Sequence, residues 1–189
     1  MSINWILCLL LVSLLGLAVA YDVLQRRVPN WLVLAGLIAG AGFSYFSAQA
    51  GEVYPADGSG LGLYKSLMGA LAGLAIMLPL YVFRVMGAGD VKLMTAIGTF
   101  VGPIPVAITV LLSFIAGGVL SLAAALWSGS LSRVVGNLRL MGLVLISSRA
   151  SGLKLSDVQT TGRLPYAIAI AIGTGLQVWL AARGGWTFV

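Results

Sequence analysis

The chain has 189 residues, 60% of them hydrophobic and only 8% charged, with a mean hydropathy of +1.05 and a net charge of +6. Soluble domains carry about 25% charged residues, so these figures exclude an ordinary soluble domain and indicate an integral membrane protein. Histidine is absent and Cys8 is the single cysteine, which excludes Ser-His and Cys-His nucleophiles, His-based metal sites, CxxC zinc sites and a disulfide framework.

Residues 3–21 carry no charge and would extend ~28 Å as a helix, enough to cross the hydrocarbon. Ala18-Val19-Ala20 resembles a signal-peptidase site, but Arg26 and Arg27 follow the run and no basic residue precedes it. That is the wrong flank for a cleaved export signal, so a retained first span is expected. Pro29-Asn30 then forms a stop-and-start signal before a second span over 31–48. A polar loop over 49–63 holds Glu52 and Asp57, and a third span over 66–83 contains Pro79, an expected kink.

The fourth apolar run, 91–101, is interrupted by Lys92 and stops at Gly102-Pro103-Ile104-Pro105. At ~16 Å it is short for a span, so it either runs on to about 105 or starts below the membrane surface. A fifth span is expected over 106–127 and a sixth over 164–182. Between them, 128–163 is a basic loop in which 131–146 would lie along the membrane surface as an interfacial helix. The whole chain, 1–189, reads as a single membrane domain of the all-α class.

Charge orients it. Six spans collect Arg26, Arg27, Arg84, Lys92, Arg133, Arg139, Arg149, Lys154 and Arg163 on one side, leaving Lys65 and Arg183 on the other. The basic side faces the cytoplasm, so both termini are expected outside. In this arrangement the basic residues signal topology, and no nucleic-acid partner is expected. Small residues inside the spans (Gly36, Gly69, Gly73, Gly117, Gly118, Gly173) suit close helix packing.

Only five acids exist. Glu52, Asp57 and Asp157 fall in loops as solvated charges. Asp22 ends the first span and Asp90 opens the fourth, so the topology brings both to the cytoplasmic face. Ionisable groups at a membrane boundary are costly and point to function. Two convergent carboxylates suit aspartyl hydrolysis. One keeps a proton and hydrogen-bonds the scissile carbonyl, while the other takes a proton from water. Gly87 and Gly89 would adopt backbone angles closed to other residues and leave room for an extended peptide. The structural alternatives are a helix N-cap for Asp90 and an ion pair with Arg26 for Asp22. Lys92 and Arg84 would anchor the interface, lower the Asp90 pKa or meet an acidic group on a substrate.

Three segments carry a resemblance. "GAGDVKLM" (87–94) is a GxGD motif, "DVLQRRVPN" (22–30) is similar to a D-x5-[IV]-P-N segment, and "RLPYAIAIAIG" (163–173) is similar to an R-x-P-Y stretch in a last span. In this order they resemble the prepilin peptidases, most closely the short forms of tight-adherence (Flp-type) pilus systems. The resemblance implies a bacterial inner-membrane aspartyl protease that removes the basic leader of prepilins and pseudopilins at the cytoplasmic face and serves pilus assembly indirectly. It implies Asp22 and Asp90 as the catalytic pair, with Gly87, Ala88, Gly89 and Lys92 shaping the loop. Longer members also methylate the new N-terminus and carry paired CxxC motifs. This chain has neither the motifs nor an expected S-adenosylmethionine site, so no cofactor or metal is expected. Ala88 stands where the motif often has glycine. Two other readings stay open: a signal-peptide-peptidase-like GxGD protease, given Tyr21-Asp22, and a small transporter or assembly subunit whose acids bind a cation or proton. Which prepilin is cut and the oligomeric state are not encoded in any motif.

Overall fold

The computed structural model describes residues 5–49, 62–129, 136 and 166–183. The expected interfacial helix over 131–146, the outer polar loop with Glu52 and Asp57, and Asp157 lie outside the described residues, apart from the single position 136. Among the described residues the protein is all helical, with six helices in chain order: α1 (Trp5–Gln25), α2 (Asn30–Gln49), α3 (Gly62–Val82), α4 (Ala88–Val101), α5 (Pro103–Trp127) and α6 (Tyr166–Ala182).

Three stretches within these helices, Ile6–Gln25, Gly62–Val82 and Pro103–Trp127, are long and apolar enough to cross a membrane. Asn30–Phe46 and Tyr166–Ala182 are apolar but shorter. Their outward faces expose large apolar side chains, such as Leu9, Val12, Ile38, Leu111 and Trp179, as expected of helices solvated by lipid. The chain divides into two compact units. Residues 1–117 with 165–189 form one, and 118–164 form the other, whose described part is the second half of α5 with its closing turn.

In the first unit α4 packs against α1, α2, α3 and α6. Leu93, Met94, Ala96 and Ile97 are fully buried, as are Phe100 and Val101 to within a few per cent. That explains why α4 beyond Lys92 is mostly apolar. Lipid removes the hydrophobic drive between helices, so dispersion and close approach must hold such a core. Close approach is visible where α3 crosses α4. A Cβ built on Gly98 would collide with the carbonyl oxygen of Gly69, and one built on Gly69 would lie 2.8 Å from Gly102 Cα. Gly73 meets Met94 in the same way, its Cβ position 2.8 Å from the Met94 oxygen. Buried hydroxyls add to the seam: Ser66 Oγ and Ser44 Oγ donate to the Thr99 carbonyl at 2.9 and 3.3 Å.

The fourth helix does not run on to 105. Gly102 takes a φ of 87°, a conformation that favours glycine, and its N–H closes the last turn onto Gly98 O at 2.9 Å. Proline then opens α5 at its first position, where its missing N–H costs nothing. At 14 residues, α4 is ~21 Å long, shorter than a full hydrocarbon crossing.

Candidate active site

Asp22 lies in the last turn of α1. The helix ends just beyond it, where Arg26 adopts a left-handed φ of 53° and donates its N–H to the Asp22 carbonyl at 2.9 Å. The contact between Asp22 and Arg26 is that backbone bond, and not the ion pair of the structural alternative. The Asp22 carboxylate turns instead toward α6, where Oδ2 accepts the Ala167 N–H at 3.0 Å. Ala167 is the second residue of α6, so this amide belongs to the first turn of a helix, where backbone donors lack an intrahelical acceptor.

Asp90 opens α4 differently from the sequence expectation. Gly87 is the N-cap and Asp90 is the third helical residue, with its Oδ2 accepting the Gly87 N–H at 3.3 Å. This is the reaching-back half of a capping box. Gly87 has φ −78° and ψ 150°, ordinary extended backbone, so the turn does not use glycine for its backbone freedom as expected. Space is what these glycines leave open. A Cβ on Gly87 would lie 3.3 Å from Asp90 Oδ2, and one on Gly89 would lie 3.4 Å from the Val28 side chain. Ala88 is the first residue of α4 and is half-buried.

The 22–30 segment and the 87–94 segment therefore meet. Val28 sits beside Gly89, and Lys92 Nζ, exposed, donates to Asn30 Oδ1 at 2.9 Å. The two carboxylates are within electrostatic reach of each other. Asp90, which precedes the apolar run 91–101, has its pKa pushed up to about 6, first by burial and then by the Asp22 charge, against the opposing Gly87 hydrogen bond. Burial and a like charge both disfavour the ionised form, and a donated N–H favours it. The net shift is upward, and its causes are burial and Asp22, so of the roles considered for Lys92 and Arg84 the lowering of this pKa is the one without support.

Sequence reasoning missed the contribution of α6. Tyr166, its first residue, lies within electrostatic reach of Asp90. Its hydroxyl donates to the Ser113 carbonyl at 3.4 Å, and its ring packs on Phe114 with centroids 6.4 Å apart. The only hint was the R-x-P-Y stretch that opens the last span, and it carried no indication of which atom would act. Among the described residues no group of three or more His, Cys, Asp or Glu side chains gathers to hold a metal ion.

Comparison with protein families matches residues 9–122 to Peptidase_A24, the type IV leader peptidase family. The match spans more than half of the 189 residues and includes both aspartates. This chain belongs to the type IV leader peptidase family. No curated protein and no solved structure gives a significant match.

Proposed function

We propose that this protein is a prepilin peptidase, an aspartyl endopeptidase of the bacterial inner membrane that cuts the basic leader from Flp-like prepilins and pseudopilins at the cytoplasmic face. The observation that supports this most is the electrostatic pairing of Asp22 with Asp90 in a chain of the leader peptidase family. Under this reading six spans place both termini outside, and the basic loops hold the catalytic ends of α1 and α4 at the cytoplasmic surface.

In the proposed reaction one proton is shared between the two carboxyls. Asp90, with its raised pKa, holds that proton and donates a hydrogen bond to the scissile carbonyl oxygen. Asp22, as the anion, accepts a proton from the attacking water, whose oxygen bonds to the carbonyl carbon. Collapse of the tetrahedral intermediate breaks the C–N bond, and the proton taken from water passes to the leaving amine. Gly87 and Gly89 leave the turn without side chains beside Asp90 and Val28, so an extended peptide could lie close to the backbone. Lys92, tied to Asn30, would hold the two motif segments in register.

The test is co-expression with a tight-adherence prepilin, with the pilin N-terminus read by mass spectrometry. Leader loss that depends on this chain supports the reading. An intact leader, with the protein present in the membrane, contradicts it.

The Asp90 shift also sets a pH dependence. A carboxyl whose pKa is raised to about 6 keeps its proton below that pH and loses it above. If the proton is required, kcat/KM, which reports the free enzyme, should fall as pH rises through about 6. The kcat profile should fall at a higher pH, because a bound peptide excludes water and further disfavours the charged form. Initial rates across pH 5–9 in vesicles would check this. A kcat/KM that is flat from about 5 to 7 would contradict Asp90 as the proton-holding group.

A further inference from the structure

The family match stops at residue 122, yet the hydrogen bond that holds Asp22 comes from well beyond it. Ala167 is fully buried, and its N–H reaches Asp22 Oδ2 at 3.0 Å across 145 residues of sequence. A buried amide in the first turn of a helix has no acceptor within that helix, and the positive end of the helix dipole favours an anion beside it. The need is mutual, because a carboxylate at the end of an apolar span requires a donor.

The position of this donor is itself fixed. The α6 start is held against α5 by the Tyr166 hydroxyl on Ser113 O and by the Tyr166 ring on Phe114. A Cβ on Gly117 would lie 2.9 Å from that ring, and one on Gly173 would run into the Ser113 backbone. The amide is therefore presented by two helices packed too closely to shift without cost. The Asp22 carboxylate takes the Ala167 N–H from α6 and lies within electrostatic reach of Asp90 on α4.

We propose that the Ala167 backbone N–H is the positioning donor of the dyad, so that the functional site extends into α6, beyond the residues that the family match covers. By engaging Oδ2, the amide sets the plane of the Asp22 carboxylate and leaves Oδ1 as the oxygen that meets water. A hydrogen bond donated to a charged acceptor is stronger than one to a neutral acceptor, so the amide holds the carboxylate in one orientation. This proposal rests on the reading of Asp22 as half of a proteolytic pair. Its geometric part stands independently of that reading.

The test uses the full chain in lipid nanodiscs. The Ala167 amide proton, assigned by comparison with Ala167→Ser, is followed by NMR as a function of pH in the wild type and in Asp22→Ala. The wild-type resonance should move downfield as Asp22 charges, and the movement should vanish in Asp22→Ala. No movement in the wild type, or the same movement in Asp22→Ala, overturns the proposal.

Activity supplies a second arm. Ala167→Pro removes the donor at a position in the first helical turn where proline is tolerated, whereas Ala167→Val adds bulk and keeps the N–H. The proline variant should lose about 10- to 100-fold more kcat than the valine variant, with KM little changed and the pH profile displaced. Equal kcat and equal pH profiles overturn the proposal, and if the proline variant fails to insert, the amide titration decides alone. Should the amide titrate with Asp22 while prepilin stays uncut by the wild type, the positioning bond stands and the proteolytic reading fails.

Discussion

Asp22→Asn and Asp90→Asn should each lower leader removal by about 10³-fold or more, the scale on which positioned acid–base groups act, while leaving the protein in the membrane. Asparagine keeps the size and one carbonyl oxygen of aspartate, so the Ala167 and Gly87 amides retain an acceptor and the helix ends stay capped. What is lost is the exchangeable proton. At position 90 the amide cannot hold the proton that burial and the Asp22 charge retain on the carboxyl. At position 22 it cannot accept a proton from water. The double variant should be no worse than either single one, because the two groups act as a unit. The measurement is the rate of leader release from a purified prepilin in vesicles, normalised to protein in the membrane. A single asparagine variant that cleaves at the wild-type rate would remove that aspartate from the mechanism.

Gly98→Ala should be strongly damaging for so small a substitution. A methyl at Gly98 would meet the Gly69 carbonyl and lie 2.6 Å from its carbon and 3.0 Å from Ala70 N. These are backbone atoms that cannot rotate away, so α3 and α4 must separate. Overpacking of this kind costs about 1–3 kcal/mol. The same separation would disturb the Thr99 carbonyl, which takes hydroxyls from α2 and α3, and would tilt the helix that carries Asp90. Gly98→Ala should therefore lower the thermal midpoint in detergent and reduce leader cleavage together. Gly42→Ala, where a Cβ meets nothing within 4 Å, should change neither beyond the helix-propensity gain of alanine over glycine. Equal midpoints for the two variants would show that the α3–α4 contact is looser than described.

The apolar runs were legible because uncharged stretches of helical length have few alternatives in lipid. Their ends were not, because charge is a poor stop signal for a helix. The first helix passes Asp22 and ends at Gln25, where Arg26 turns left-handed, and the third begins at Gly62, ahead of Lys65. The fourth was the hardest. The eleven-residue run 91–101 looked too short for a span, and the helix instead starts at Ala88 and ends at Val101, capped by Gly102.

The expectation that Asp22 and Asp90 share one surface came from the distribution of arginines and lysines, and the two carboxyls do lie within electrostatic reach of each other. The partners of those acids could not. A backbone N–H such as that of Ala167 has no residue-type signature. The Lys92–Asn30 bond, between positions 62 apart in sequence, leaves no periodicity to detect. Of the two roles read for the turn glycines, backbone freedom is not used at Gly87. Gly87 has ordinary backbone angles, and the tight backbone approaches occur at Gly69, Gly73 and Gly98, in the body of the bundle.

The proposed mechanism requires that Asp22 at the end of α1 and Asp90 at the start of α4 lie within reach of each other. Asp22→Cys and Asp90→Cys together in a Cys8→Ser background test that directly, by treating membranes with a short bifunctional thiol reagent and reading the internal cross-link by mass spectrometry. The account predicts a cross-link between positions 22 and 90 within the same chain, and none when the position-90 cysteine is moved to exposed Leu9, ~20 Å from Asp22 along α1. Reactive thiols at 22 and 90 that fail to cross-link within one chain would contradict it.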